Sequence, residues 1–232
     1  MFGLDDRIAG LGTGDAFALI VAVAILLGLR HATDPDHLTA VTTLVASDED
    51  RSPRRAAWLG GAWGVGHATS LFAFGVPIVL FKSYLPAAVR ESAELVVGLV
   101  IMALAIRLLV RWRRHGFGAA GGHRHARPLP PARSPLQAYG IGLVHGMGGS
   151  AGVGILLLAG IPDRALALLA LLLFAACTAL SMAIASTTFG YTLSRDAVLA
   201  RFGTVAPALG TLSLAFGAWY ALGAVNAVPY VF

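Results

Sequence analysis

The segment from Arg30 to His37 concentrates ionisable side chains inside an apolar part of the chain. It reads Arg-His-Ala-Thr-Asp-Pro-Asp-His and lies within the apolar run from Ala16 to Ala46. In a membrane-spanning helix, each unpaired charge at this depth costs about 3 kcal/mol or more. A cluster of such groups is therefore a functional-site hypothesis by default, and its imidazoles and carboxylates are the groups that bind metal ions.

Two arrangements of these residues could form a coordination site. If the segment continues as a helix, His31, Asp34 and His37 lie within about 120° of one another on one face. If Pro35 breaks the helix instead, Asp36 can turn inward and the freed His31 carbonyl becomes a further candidate ligand. Two imidazoles and a carboxylate suit a first-row divalent ion in either arrangement. The spacing leaves both geometries open.

A purely structural interpretation needs no metal ion. Arg30 and Asp34 could form an i,i+4 ion pair, and Asp36 could cap a helix that resumes at His37. The histidines would then bond to neighbouring backbone groups. This interpretation explains each residue separately but leaves their concentration unexplained.

Two further histidines lie in apolar, glycine-containing stretches. His67 follows Gly-Val-Gly, and His145 precedes Gly-Met-Gly-Gly-Ser-Ala-Gly. Each could complete a metal site or serve as a hydrogen-bonded structural residue between packed helices. The candidate metal ligands are thus His31, Asp34, Asp36, His37, His67 and His145.

A competing chemistry is suggested by residues 148–152, which fit the G-x-S-x-G pattern of serine hydrolases with Ser150 as the nucleophile. That pattern normally follows a strand, and a glycine-rich membrane helix matches it by chance. The sequence has no metalloprotease, phosphate-loop or dinucleotide motif, so we expect no ATP-driven pumping, no catalytic residues and no cofactor.

The elements that would position these groups are membrane helices. The chain is 57% hydrophobic and 12% charged, whereas soluble domains are about 25% charged. We predict an all-α polytopic membrane protein with about six transmembrane helices, the first broken at the metal motif. The predicted spans are residues 16–46, 57–81, 92–110, 136–160, 164–190 and 203–225.

The chain is expected to form one transmembrane domain over residues 1–232. Gly-Leu-Arg-His at 28–31 matches Gly-Leu-Val-His at 142–145, three predicted spans later. Because three is odd, the second copy would be inverted, and such 3+3 repeats place a substrate site near the midplane. Repeat one would be 16–110 and repeat two 136–225.

The intervening loop, 111–135, is rich in Gly, Pro and Arg and is expected to have no fixed fold. Its histidines, His115, His123 and His125, belong either to a solvated basic linker or to a metal-sampling tract. Eleven of the loop cations lie on the side of this segment and four on the opposite side. The positive-inside rule then makes this loop cytoplasmic and both termini non-cytoplasmic.

Three elements resemble one known family, the nickel/cobalt transporter superfamily. Residues 31–41 resemble its H-x4-D-H signature, and residues 66–69 resemble its second-helix Gly-His-Ser/Thr element. Residues 145–152 resemble the H-G-x-x-G-S-A stretch of the shorter, UreH-type members. The resemblance covers most of the membrane core, from Leu27 to about Leu158.

The resemblance implies secondary transport of nickel(II) or cobalt(II) across the bacterial cytoplasmic (inner) membrane. It places His31, Asp36 and His37 at the signature positions, with His67 as a companion. It therefore favours Asp36 over Asp34 as a ligand. The chain differs from the longer members, which have eight spans and an Asp- and Glu-containing motif in the second half.

The expected partners are a divalent transition-metal ion and the lipid bilayer, without nucleic acid. An exporter of the same fold would use the same site, so the residues leave the direction of transport open. They also leave open a homo-oligomer or an accessory subunit.

Overall fold

The structure is a computed structural model. It describes residues 13–46, 52–81, 87–115, 134–147, 151–196, 198 and 201–229. Within these ranges the structure contains helices and no strand, which confirms the all-α prediction. In chain order the helices are α1 (Thr13–His31), α2 (Pro35–Ala46), α3 (Pro53–Phe81), α4 (Ala87–His115), α5 (Pro135–His145), α6 (Ala151–Ala159), α7 (Arg164–Leu193) and α8 (Phe202–Ala224).

Five of the described helices are long and apolar enough to cross a membrane. Their outer surfaces carry large apolar side chains, among them Leu26 at 64% and Leu212 at 70% exposure. Such surfaces suit contact with lipid tails, and the chain is a multi-pass membrane protein as predicted. The five candidate spans are Gly14–His31, Pro53–Phe81, Glu91–Arg114, Arg164–Leu193 and Gly203–Ala224.

The first predicted span is broken at the metal motif, as expected. Helix α1 ends at His31 and α2 begins at Pro35. Proline suits the first position of a helix, because the backbone N–H that it lacks would have no partner within the helix there. The turn between them is closed by the Thr33 N–H, which donates to Arg30, and by the Asp34 N–H, which donates to His31 at 3.1 Å. The His31 carbonyl thus accepts a hydrogen bond, so the expectation that Pro35 frees it is wrong.

The fourth predicted span, 136–160, is not one continuous helix. It forms α5, of 11 residues, and α6, of 9, so each is shorter than the roughly 20 residues that cross a bilayer. A turn at Gly146 and Met147 follows α5. A side chain at Gly146 would lie 2.6 Å from the His67 carbonyl oxygen, so glycine lets this break approach α3 closely.

The basic segment that follows the third predicted span is partly helical. Helix α4 continues to His115, so the prediction that the chain from Arg111 onward lacks a fixed fold is wrong for its first five residues. The Trp112 indole donates a 2.7 Å hydrogen bond to the Gly203 carbonyl on α8, which holds this end of α4 against its neighbour. His123 and His125 lie outside the described residues.

The long helices form two pairs, α3 with α7 and α4 with α8, and each shorter broken helix packs on the opposite half of the chain. Helix α1 packs on α7, and α5 packs on α3. Glycines permit both contacts: a side chain at Gly28 would lie 2.5 Å from the Phe174 carbonyl, and one at Gly142 would collide with the Trp63 carbonyl. The inverted repeat stays a prediction. In transporters built from such repeats, interrupted helices from the two halves meet at a common interface.

Two apolar clusters lie at different levels of the central pair. Leu59 and Trp63 of α3 belong to one cluster, and Leu71 and Val79 belong to the other. His67 lies between them, 14 residues from each end of α3. At 1.5 Å per residue His67 is about 21 Å from either end of α3. The polar residues around His67 therefore lie near the middle of this helix.

Candidate metal centre

All six candidate metal ligands predicted from the sequence lie in one buried cluster. Their exposed fractions are between 0% and 7%, although every one of them is polar or ionisable. They come from four places: the end of α1, the turn and start of α2, the middle of α3 and the end of α5. The six residues are His31, Asp34, Asp36, His37, His67 and His145.

One group of three histidines brings together the ends of two helices and the middle of a third. His31, His37 and His67 each offer a ring nitrogen, and these atoms lie within 4.8 Å of one another. His31 Nε2 and His67 Nε2 are 3.1 Å apart. Two imidazole nitrogens this close must either share one proton or face a common positive ion.

A second group combines a carboxylate with two imidazoles. Asp36, His37 and His145 offer ligand atoms that also lie within 4.8 Å of one another. Asp36 Oδ1 accepts from His37 Nδ1 at 3.0 Å, and Asp36 Oδ2 lies 3.3 Å from His145 Nε2. The second contact has the distance of an ion pair but does not have the geometry of a hydrogen bond. Both of its atoms lack a hydrogen-bond partner among the described residues.

His37 is the centre of the cluster. Its ring centroid lies 4.5 Å from that of His31, 4.8 Å from that of His67 and 4.5 Å from that of His145. Its side chain is fully buried, and its Nε2 has no hydrogen-bond partner within the described part of the chain. Since Nδ1 is held by Asp36, Nε2 is the nitrogen left for an ion.

Several polar atoms of the cluster are buried without a hydrogen bond to any described residue. Leaving such a group unsatisfied costs about 1 to 3 kcal/mol. A divalent cation would satisfy several of them together, since a neutral imidazole presents a lone pair on one ring nitrogen and a carboxylate oxygen presents lone pairs of its own. These atoms are His37 Nε2, His67 Nδ1, Asp36 Oδ2 and both ring nitrogens of His145.

Asp34 is placed to orient a ligand. Its Oδ2 lies 3.2 Å from His31 Nδ1, and its Oδ1 lies 3.6 Å from the Arg30 guanidinium. This contact directs the Nε2 atom of His31 toward His67, as carboxylates that support metal-bound histidines do. The ion pair of the structural interpretation is thus present, and it coexists with the metal-ligand grouping that contains Asp36.

Two aromatic rings flank the cluster, and the sequence analysis missed both. Phe174 on α7 lies 5.6 Å from the His31 ring, and Trp63 on α3 lies 5.5 Å from the His145 ring. Trp63 precedes His67 by four residues, so helical periodicity could have placed it on the same face. No local signal marks Phe174, because its contact with α1 joins segments about 140 residues apart.

The rival nucleophile lies outside the described residues. In the sequence, Ser150 falls between α5 and α6. His115 ends α4, and His123 and His125 lie outside the described residues.

Comparison with known proteins gives a relative that covers most of the chain. No family model matches the chain, and no solved structure matches it. The urease accessory protein UreH of Bacillus sp. (strain TB-90) is 30% identical over 186 residues, which cover 75% of this chain and 78% of that protein. With this identity over most of both chains and the H-x4-D-H signature, the chain belongs to the UreH-type branch of the nickel/cobalt transporter superfamily.

Proposed function

We propose that the chain is a secondary transporter that moves nickel(II) or cobalt(II) across the bacterial inner membrane. The observation that carries this proposal is the convergence of buried imidazole and carboxylate groups from both broken helices, midway along α3. Buried groups of this kind in a membrane protein mark ion pathways. The proposed ligands are His31, Asp36, His37, His67 and His145, with Asp34 orienting His31.

The chemistry of the cluster favours a borderline divalent ion over a hard one. Neutral imidazoles suit nickel and cobalt, whereas magnesium and calcium prefer oxygen ligands. One carboxylate, that of Asp36, offsets part of the charge of the ion. A transported ion must also leave, and a site without thiolate ligands releases such ions more readily.

The position of the cluster supports alternating access. In inverted-repeat transporters, interrupted helices from the two halves meet at the substrate near the midplane. One interruption separates α1 from α2, and the other separates α5 from α6. Each of the two predicted repeats therefore contains one interrupted helix. We propose the 3+3 inverted repeat, with repeats 16–110 and 136–225 and both termini outside the cytoplasm, as the frame of the transport cycle.

We further propose import rather than export. The relative is named as an accessory protein of urease, and a membrane transporter serves an enzyme by supplying one of its components. Efflux through the same fold is the alternative, and it predicts that cells carrying the chain accumulate less metal than cells without it.

Uptake of radiolabelled nickel and cobalt tests these alternatives together. Cells carrying the wild type should accumulate more of one ion than cells without it, and His37→Ala should abolish that difference. Ser150→Ala should leave the accumulation of metal unchanged, because only the hydrolase hypothesis requires the Ser150 hydroxyl. Thr178→Ala is a matched control, since this buried hydroxyl bonds to the Phe174 carbonyl of its own helix.

Three results would contradict the proposal. Equal accumulation with wild type and with His37→Ala would remove the metal site from transport. Loss of function on Ser150→Ala with uptake preserved in His37→Ala would favour the hydrolase. Lower accumulation with the wild type than without it would replace import by efflux.

A further inference from the structure

We infer that the cluster holds the transported ion in two overlapping positions and passes it between them at His37. This inference rests on the proposed function, because it divides the site of the same ion. The first position is formed by His31, His37 and His67, and the second by Asp36, His37 and His145.

Each position already contains one pair of ligand atoms at the spacing of a coordination shell. His31 Nε2 and His67 Nε2 are 3.1 Å apart, and Asp36 Oδ2 and His145 Nε2 are 3.3 Å apart. Ligands about 2.1 Å from one ion and about 90° to 110° apart are separated by roughly 3.0 to 3.4 Å. The two pairs have no residue in common, so each can serve as half of a separate position.

His37 can complete only one position at a time. Its Nδ1 is held by Asp36 Oδ1 at 3.0 Å, which leaves the single lone pair of Nε2 for an ion. Two divalent ions in neighbouring positions would also repel each other strongly inside a low-dielectric cluster. The chain therefore holds one ion, which changes partners around His37 without leaving it.

All three ligands of the first position lie in the first half of the chain, whereas the second position adds His145 from the second half. His31 ends α1 and packs against Phe174, whereas His145 ends α5 and packs against Trp63. A small movement of one broken helix relative to the other would therefore open one position while completing the second. The exchange of ligands at His37 thus couples the place of the ion to the arrangement of the two halves.

The two positions also differ in charge. The first has three neutral imidazoles, and the second replaces one of them by the Asp36 carboxylate. This difference makes the positions distinguishable by spectroscopy, because the numbers of bound imidazole and oxygen ligands differ. Cobalt(II) is a suitable probe, since its visible spectrum and X-ray absorption report the ligand set.

The experiment compares four variants of the full chain in lipid nanodiscs, with cobalt(II) as the added ion. His67→Ala removes a ligand of the first position, His145→Ala removes one of the second, and His37→Ala removes the shared ligand. Thr178→Ala is the control. Bound cobalt is counted by equilibrium dialysis, its ligands are identified by X-ray absorption, and the same variants are assayed for uptake in cells.

We expect the wild type to bind one cobalt ion per chain and His37→Ala to lose binding. His67→Ala and His145→Ala should each still bind one ion, with affinity lowered by about tenfold or more. The ion in His67→Ala should have a carboxylate ligand, and that in His145→Ala should have imidazoles from the first position. Both variants should lose uptake, because each retains one position for the ion but cannot pass the ion to the other position.

Two ions bound per wild-type chain would overturn the inference, and so would identical ligand sets in His67→Ala and His145→Ala. Uptake at the wild-type level in either variant would overturn it as well. If an alanine variant fails to accumulate in the membrane, the glutamine variant of the same position replaces it. If the wild type binds cobalt but transports no ion, the proposed function fails while the binding measurements still decide between one position and two.

Discussion

The break between α1 and α2 and the break between α5 and α6 both follow a histidine that ends a helix. His31 and His145 occupy the same place in the Gly-Leu-x-His pattern. After His31 the chain continues with two aspartates, a proline and a second histidine, whereas after His145 it continues with glycines. The first break therefore supplies most of the proposed ligands, and the second supplies one proposed ligand and close backbone approach to α3.

This difference shows how two breaks can contribute to one site in different ways. The aspartates of the first break fix its histidines, since Asp34 holds His31 and Asp36 holds His37. The carboxylate contact of His145 is looser, with its Nε2 3.3 Å from Asp36 Oδ2, and neither ring nitrogen has a hydrogen bond among the described residues. We conclude that the first break is the more preorganised of the two and that the second depends on the ion for its polar contacts.

The largest expected effect comes from removing the acid that bridges the two breaks. Asp36→Asn should lower uptake by about 100-fold, because it removes a charged ligand and weakens the contacts to His37 and His145. Asp34→Asn should lower it by only about tenfold, because Asp34 orients His31 without belonging to either group. Uptake at saturating and at limiting cobalt measures both, and equal losses would contradict the different roles of the two acids.

The next effect concerns the close helix contacts behind each break. Gly142→Ala and Gly28→Ala should each destabilise the protein by about 1 to 3 kcal/mol, because the added methyl collides with the backbone of the facing helix. Gly140→Ala and Gly14→Ala are matched controls in the same two helices, since a side chain at either meets no atom within 4 Å. Thermal unfolding in detergent should show a lowered midpoint for the first pair only.

A preserved midpoint in Gly142→Ala would show that the second break can move away from α3 at little cost. That result would make its approach to His67 a property of one conformation. Loss of stability in Gly140→Ala would contradict the open space at that position.

The pH dependence of uptake should follow the imidazoles of both breaks. Neutral imidazole binds the ion and protonated imidazole cannot, so protons compete with the ion for these ligands. Uptake should therefore fall as the pH decreases from about 7 to about 5. Initial rates measured between these limits test this, and a steady rise in uptake below about pH 5 would instead indicate proton-driven movement.

The smallest effect is expected from the proline of the first break. Pro35→Ala should change stability by less than about 1 kcal/mol and leave uptake near the wild-type value. The turn is held by the Thr33 and Asp34 N–H groups, and the burial of Asp36 and His37 keeps the next helix in place. A large loss of uptake would show that the proline itself maintains the break.

Much of the site could be predicted because membrane burial makes polar residues conspicuous. Five ionisable groups within eight residues of an apolar run identified the first break, and Pro35 indicated where the helix stops. The choice between Asp34 and Asp36 could not be made from spacing, because a continuous helix and a broken one place different carboxylates inward. The break after His145 could not be decided from the sequence, since its glycines permit an unwound turn and also suit a tightly packed continuous helix.

The sequence by itself determined the membrane class, the helical content and the groups able to bind a metal ion, because these depend on composition and on local spacing. Only the tertiary structure decided which groups meet. It brought His145 to Asp36 across about 110 residues, directed His31 toward His67, and left His37 in contact with all three histidines. Such contacts depend on how whole helices pack, and helix packing is set by close approach between surfaces that no single segment contains.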